Sequence, residues 1–223
     1  MEPNWAEENL QVIRTLMERS ALYRRALAPV MLSVGCIGIA GWGLGERWSN
    51  SPGGRESYPD FYAVWSIVAA IAIGVSILII RRQALRSAEP IWTTPMKKIC
   101  YAMAPALFAG LLAAVWHAEG YSQYGDAWRV IPLWGLLYGC ALHSAGQYIS
   151  RGVRLLAWAF IIVSSSWGYL IFCTAAGIHQ TGVYRGEPVL VMRPHAIMGL
   201  TFGGLHLLAG IYLYFTEKGR NAQ

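Results

Sequence analysis

Formal charge is what this sequence has least of. Only 13% of its 223 residues are Asp, Glu, Lys or Arg, and 55% are hydrophobic, against about 25% charged residues in an ordinary soluble domain. That balance excludes a water-soluble globular protein and points to an integral membrane protein with little material left for a separate soluble domain. Cysteine is scarce too. Cys36, Cys100, Cys140 and Cys173 fall one each in four different apolar segments with no C-x-x-C, which excludes a disulfide framework or a thiolate cluster and leaves them expected as buried small hydrophobes. Local catalytic signatures are missing as well. There is no G-x-x-x-x-G-K-[ST], G-x-S-x-G or H-E-x-x-H, and no apolar run holds a carboxylate pair. Ser164, Ser165 and Ser166 have no neighbouring base in sequence, and a serine needs one to act as a nucleophile.

What is present is a series of six charge-free runs: Leu27 to Gly45, Phe61 to Ile80, Ile99 to Trp116, Val130 to Ile149, Leu155 to Gly177 and Pro194 to Thr216. At about 1.5 Å of rise per residue each is long enough to cross a ~30 Å hydrocarbon layer, the first and third barely so. The first begins only after a polar stretch holding Glu2, Glu7, Glu8 and Glu18, so no cleavable signal is expected and the first span serves as its own targeting signal. The net charge of +6 is concentrated between spans. Arg14, Arg19, Arg24, Arg25, Arg81, Arg82, Arg86, Lys97, Lys98, Arg151, Arg154, Lys218 and Arg220 fall on one side, and Arg47, Arg55, Arg129, Arg185 and Arg193 on the other. The positive-inside rule then places both termini in the cytoplasm, with the basic loops against anionic lipid headgroups and no nucleic-acid partner.

Ahead of the first span, residues 5–25 set Leu10, Ile13, Met17 and Ala21 on one stripe, the pattern of an amphipathic helix lying on the membrane surface or docking a protein partner or a second copy. The first outer loop, ERWSNSPGGRESYPD, is turn-rich and bordered by Trp42, Trp48, Tyr58 and Trp65 as an interfacial aromatic belt. The expected architecture is therefore all-α: an amphipathic cytoplasmic helix (1–25), a six-span transmembrane domain (26–216) and a cytoplasmic tail (217–223). The stretches VIRTLMERSALYRRALAP, EPIWTTPMKK, APALFAGLL and GLTFGGLHLLAGIYLYF resemble a family of bacterial six-span integral membrane proteins. That resemblance implies a multi-pass protein of the bacterial cytoplasmic (inner) membrane and brings no catalytic residues with it.

Two constellations offer chemistry. In the last span Gly199, Gly203, His206 and Gly210 recur at i, i+4, i+7 and i+11, one face with an imidazole among residues lacking side chains. In the fourth span Cys140, His143 and Gln147 share a face. His143 lies 13 residues beyond Val130 and His206 lies 12 beyond Pro194, so the two imidazoles are expected at similar depth, around a modest polar pocket between the fourth and sixth spans. Ionisable groups inside a membrane are functional hypotheses by default. Two neutral imidazoles facing each other are also what a b-type haem requires. A second, scattered set at the opposite interface, His117, Glu119, His179 and His195, has ligand types suited to Zn or Cu. The reading placed first is a non-catalytic binding, sensing or accessory membrane protein. A small-molecule or proton-coupled transporter using His143 and His206 comes second, and a b-type haem electron carrier third. The topology is directly testable: reporter fusions at residue 1 and residue 223 are both expected to report cytoplasm, and a periplasmic signal from one end alone refutes the even number of spans.

Overall fold

The structure, a computed structural model, describes residues 27–48, 58–86, 88, 90, 92–120, 127–149, 151–181 and 193–221, with side chains for all of these except 58–60, 117–120, 127–129, 174–181 and 217–221. The described residues are almost all helical, with no strand among them. In order come α1 (Leu27–Trp48), α2 (Tyr58–Arg86), α3 (Thr94–Gly120), α4 (Ala127–Gly146), α5 (Arg151–Thr181), α6 (Pro194–Met198), a π-helical segment (Gly199–Gly204) and α7 (Leu205–Asn221). The last three form one continuous rod. Among the described residues, five helices are long and apolar enough to cross a membrane, and Val130–Gly146 of α4 is a shorter apolar one. The amphipathic helix expected over 1–25 lies outside the described residues. The segment expected as a tail begins as helix, since α7 runs on to Asn221.

Local chemistry accounts for the element ends. The α3 helix begins well before the apolar run expected from Ile99, because Thr93 caps it: the Met96 N–H donates to Thr93 Oγ1 at 3.4 Å. Pro95 sits in that first turn, where its missing N–H costs nothing. The α4 helix stops at Gly146, short of the expected Ile149, and the Tyr148 N–H closes the turn on the Ala145 carbonyl at 2.9 Å. The space beside Gly146 is taken by the Arg154 side chain at the start of α5.

Side chains of about the same hydropathy face outward and inward. Ile67, Ile71, Phe108, Phe172 and Leu208 are exposed on helix flanks, a surface that monomeric soluble proteins avoid and that is compatible with a multi-pass protein surrounded by lipid. The four cysteines are also exposed rather than buried, correcting the expectation above. In lipid the outward face is as apolar as the core, so hydropathy gives a thiol no reason to choose between them.

Packing is concentrated at two levels. One cluster joins Ala28, Met31, Leu142, Val153, Leu156, Ala157, Phe160 and Leu213 at the end where α1 begins and α7 finishes. The other joins Phe61, Tyr62, Trp65, Val68, Val130, Ile131 and Ile197 at the opposite end. What aligns them is α1 against the rod that follows Pro194. The two run antiparallel, Gly210 meeting Leu32 and Gly199 meeting Trp42, with Gly38 against Gly203 between them. A Cβ on Gly203 would lie 2.8 Å from the Ile39 nitrogen and 3.0 Å from the Gly38 carbonyl carbon, so backbone touches backbone and only glycine fits. The neighbouring Gly204 has nothing within 4 Å of such a Cβ. Gly203→Ala is therefore expected to destabilise the bundle by about 1–3 kcal/mol, the usual cost of overpacking, while Gly204→Ala changes little. Thermal unfolding of both variants in detergent checks this, and equal melting temperatures contradict it.

Candidate functional site

Where α4, α5 and the π segment meet, His206 is almost entirely buried, 1% exposed. Three aromatic rings enclose it, with centroids 4.5 Å (Phe202), 5.4 Å (Phe160) and 5.5 Å (Tyr138) from the imidazole. Both ring nitrogens are engaged. Nδ1 lies 2.7 Å from the Phe202 carbonyl and Nε2 lies 2.9 Å from the Tyr138 hydroxyl. A carbonyl can only accept, so Nδ1 carries the hydrogen and Nε2 receives one from Tyr138, a neutral imidazole with every polar site satisfied.

The Phe202 carbonyl that accepts from Nδ1 lies in the π segment and also accepts the Leu205 N–H. A π turn shifts the backbone ladder from i−4 to i−5 over one stretch, leaves carbonyls for side chains to use, and recurs at functional positions. At the other side of the same turn the Thr201 hydroxyl donates back to the Ile197 carbonyl at 2.7 Å. The expected four-residue stripe is divided between neighbours. Gly199, Gly203 and Gly210 pack on α1, whereas His206 contacts Tyr138 on α4 and Phe160 on α5.

The fourth-span residues are arranged differently from His206. Cys140 and Gln147 are exposed, and the Ser144 hydroxyl donates back to the Cys140 carbonyl at 3.0 Å. His143 is half-buried, edge-on to Trp158 of α5 at 5.5 Å between centroids. Its Nδ1 is buried and without a hydrogen-bond partner among the described residues. His143 and His206 thus have separate sets of neighbours. Haem ligation by His206 would require Tyr138 to give up Nε2 or Phe202 to give up Nδ1. The residue level with His206 on α4 is Tyr138, which hydropathy patterning overlooks. The signal was Gly135, Gly139 and Gly146 at i, i+4 and i+11, a small-residue stripe that seats α4 on α5, where a Cβ on Gly139 would stand 3.0 Å from the Ala157 carbonyl.

Of the four residues expected as metal ligands, the side chains of His117, Glu119 and His179 lie outside the described residues. His195 is buried. It faces Phe61 and Trp65, and its Nδ1 accepts the Trp65 indole N–H at 3.2 Å. Its ring rests directly on Gly45 of α1. Beside it Arg193 pairs with Glu46 at 2.8 Å, tying the end of α1 to the start of the last rod; half-exposed, the pair is worth about 0–1 kcal/mol.

Between the two packed clusters lies a cavity of about 270 Å³. It is walled by α2 (Trp65, Val68, Ala69), α3 (Ala106, Gly110, Ala114), α4 (Ile131, Trp134, Tyr138), Phe160 of α5, and Met198, Thr201 and Phe202 of the last rod. Tyr138 connects it to His206, and Trp65 connects it to His195. Trp134 spans from α4 to α3, donating its indole N–H to the Gly110 carbonyl at 3.0 Å. Apart from the Ser66 hydroxyl at its rim and the hydrogen-bonded Trp65, Trp134, Tyr138 and Thr201, the described wall is apolar.

No family model, curated protein or solved structure matches this chain.

The Tyr138–His206 pair yields a quantitative expectation. In a double-mutant cycle of Tyr138→Phe and His206→Phe, the coupling energy should fall at about 0.6–1.7 kcal/mol, the range of interhelical hydrogen bonds in membranes. Reversible unfolding in bicelles measures it, and strictly additive effects contradict the bond.

Proposed function

We propose that this chain is a non-catalytic binding protein of a bacterial cytoplasmic membrane, six-span with both termini in the cytoplasm, and that its ligand occupies the cavity between α2, α3, α4 and the last rod. The single observation that carries this reading is the cavity itself. Packed cores rarely keep voids larger than a water molecule. A bundle that closes tightly at Gly38 and Gly203 and at Gly139 and Ala157, yet stays open here, fits a site shaped for an occupant. An apolar pocket with a few fixed polar groups is also the ordinary form of a small-molecule site.

A second reading, transport of a solute or proton past His206, draws on the π turn beside it, an irregularity frequent at working positions. Binding is favoured over it because the described polar groups around His206 are already paired with one another, which supports a fixed wall rather than a relay.

Filling the cavity separates the possibilities. Ala106 lies on its α3 wall, and Ala106→Phe is expected to raise the melting temperature of the ligand-free protein. Wild type should gain about 2.7 kcal/mol from its ligand at a hundredfold excess over Kd, a shift of several degrees, when a lipid-and-metabolite extract of the native membrane is added. Ala106→Phe should lose that gain. Equal stabilisation of both proteins moves the ligand elsewhere, and stabilisation of neither overturns the binding reading in favour of an accessory role.

A further inference from the structure

We propose that the occupant of the cavity is a hydrocarbon chain, the acyl tail of a phospholipid or the chain of a prenyl lipid, entering sideways from the membrane between α2 and α3. This rests on the reading of the cavity as a ligand site and adds the ligand's chemistry and its route. The chemistry follows from the wall. Its polar residues besides Ser66 are Trp65, Trp134, Tyr138 and Thr201, and each already donates its hydrogen inside the protein: to His195, to the Gly110 carbonyl, to His206 and to the Ile197 carbonyl. A ligand bringing a hydroxyl, amide or charge would find these donors already committed, and an unpartnered buried polar group is costly. A hydrocarbon asks for no partner.

The route follows from the rim. Ser66 and Ala69 on α2 and Leu107 and Leu111 on α3 line the cavity and are at the same time exposed on the outside of the bundle. The opening therefore lies between two helices that touch little, both of which carry bare apolar flanks. Its level is set by the residues that define it: the first turns of the side-chain-bearing part of α2, the second half of α3, the first half of α4 and the start of the last rod. Phe160, a member of the cluster at the end where α1 begins, also borders the cavity, so the opening lies at mid-depth between the two packed clusters. Size agrees: about 270 Å³ is room for part of a lipid chain whose remainder stays in the bilayer. Because lipid tails are as apolar as the wall, selectivity is by shape, against the rings of Trp134, Tyr138, Phe160 and Phe202.

The test uses the full chain in phosphatidylcholine vesicles with two photoreactive probes: a phosphatidylcholine carrying a diazirine at the end of its palmitoyl chain, and farnesyl alcohol carrying a diazirine at its chain end. Adducts are mapped by mass spectrometry. One probe is expected to label Tyr138 and Phe202 inside the cavity, and which probe does so identifies the source as acyl or prenyl. Ala69→Phe narrows the opening from α2 and Leu111→Trp from α3, and at least one should cut interior labelling about tenfold, leaving the outward residues Ile67 and Phe108 labelled as before. Labelling confined to Ile67 and Phe108, or interior labelling indifferent to both variants, overturns the proposal. If neither probe reaches Tyr138 while the membrane extract still stabilises wild type and not Ala106→Phe, the site stands and the hydrocarbon assignment falls. If the extract stabilises neither protein, the binding reading itself has failed.

Discussion

The contact of Gly38 with Gly203 is the constraint on which the rest depends. In a bilayer the hydrophobic effect gives no net pull between helices, because a neighbouring lipid is as good a solvent for leucine as a neighbouring helix. Association has to come from close surfaces and from polar groups with nowhere else to go. Two backbones brought within van der Waals contact supply the first. They fix α1 on the rod after Pro194 with Gly199 over Trp42 and Gly210 over Leu32, and the depth and rotation of that rod are then set. The second is supplied by His206, whose imidazole, once that rod is placed, stands opposite Tyr138.

One rod meets both demands. Gly199, Gly203 and Gly210 pack on α1, while the imidazole lies in the aromatic enclosure of Tyr138, Phe160 and Phe202. The carbonyl of Phe202, which lies in the π segment and also accepts the Leu205 N–H, is the acceptor for Nδ1. His195 at the start of the same rod accepts through Nδ1 from Trp65, so the two histidines of one rod use that atom in opposite senses, each dictated by a partner that can only accept or only donate.

Much of this is written in the sequence, and the parts that are not share a physical reason. Charge-free length announces the helices, because water-free hydrocarbon leaves a backbone no alternative to pairing with itself. Gly199, Gly203 and Gly210 announce a close interface, since a glycine inside a helix is unfavourable unless another backbone needs the space. Which way a polar stripe faces is not announced. Cys140 and Gln147 read as an inward stripe and are exposed, because α4 is oriented by Gly135, Gly139 and Gly146 seating on α5, and small residues outweigh weakly polar ones in a contact governed by distance. Tyr138 and His206 are 68 positions apart, and nothing in either local pattern couples them.

The cavity is the least legible feature because it is a failure of packing, and composition records only what is there. Its position nevertheless follows from the same rule that closes the bundle elsewhere. The α1 helix meets the last rod through glycines, and α4 meets α5 through glycines, but α2 offers Trp65 and Val68 toward the interior and α3 offers Ala106, Gly110 and Ala114 opposite large rings of α4. Wide indoles held at fixed angles by hydrogen bonds, Trp65 to His195 and Trp134 to Gly110, act as struts. They keep α2 and α3 from collapsing onto each other, and the small residues of α3 then border open space instead of a neighbour's backbone. Small residues thus have two outcomes in this protein: at Gly38 and Gly203 they draw two backbones together, and at Ala106, Gly110 and Ala114, across from the braced rings of α4, they border room for something that is not protein.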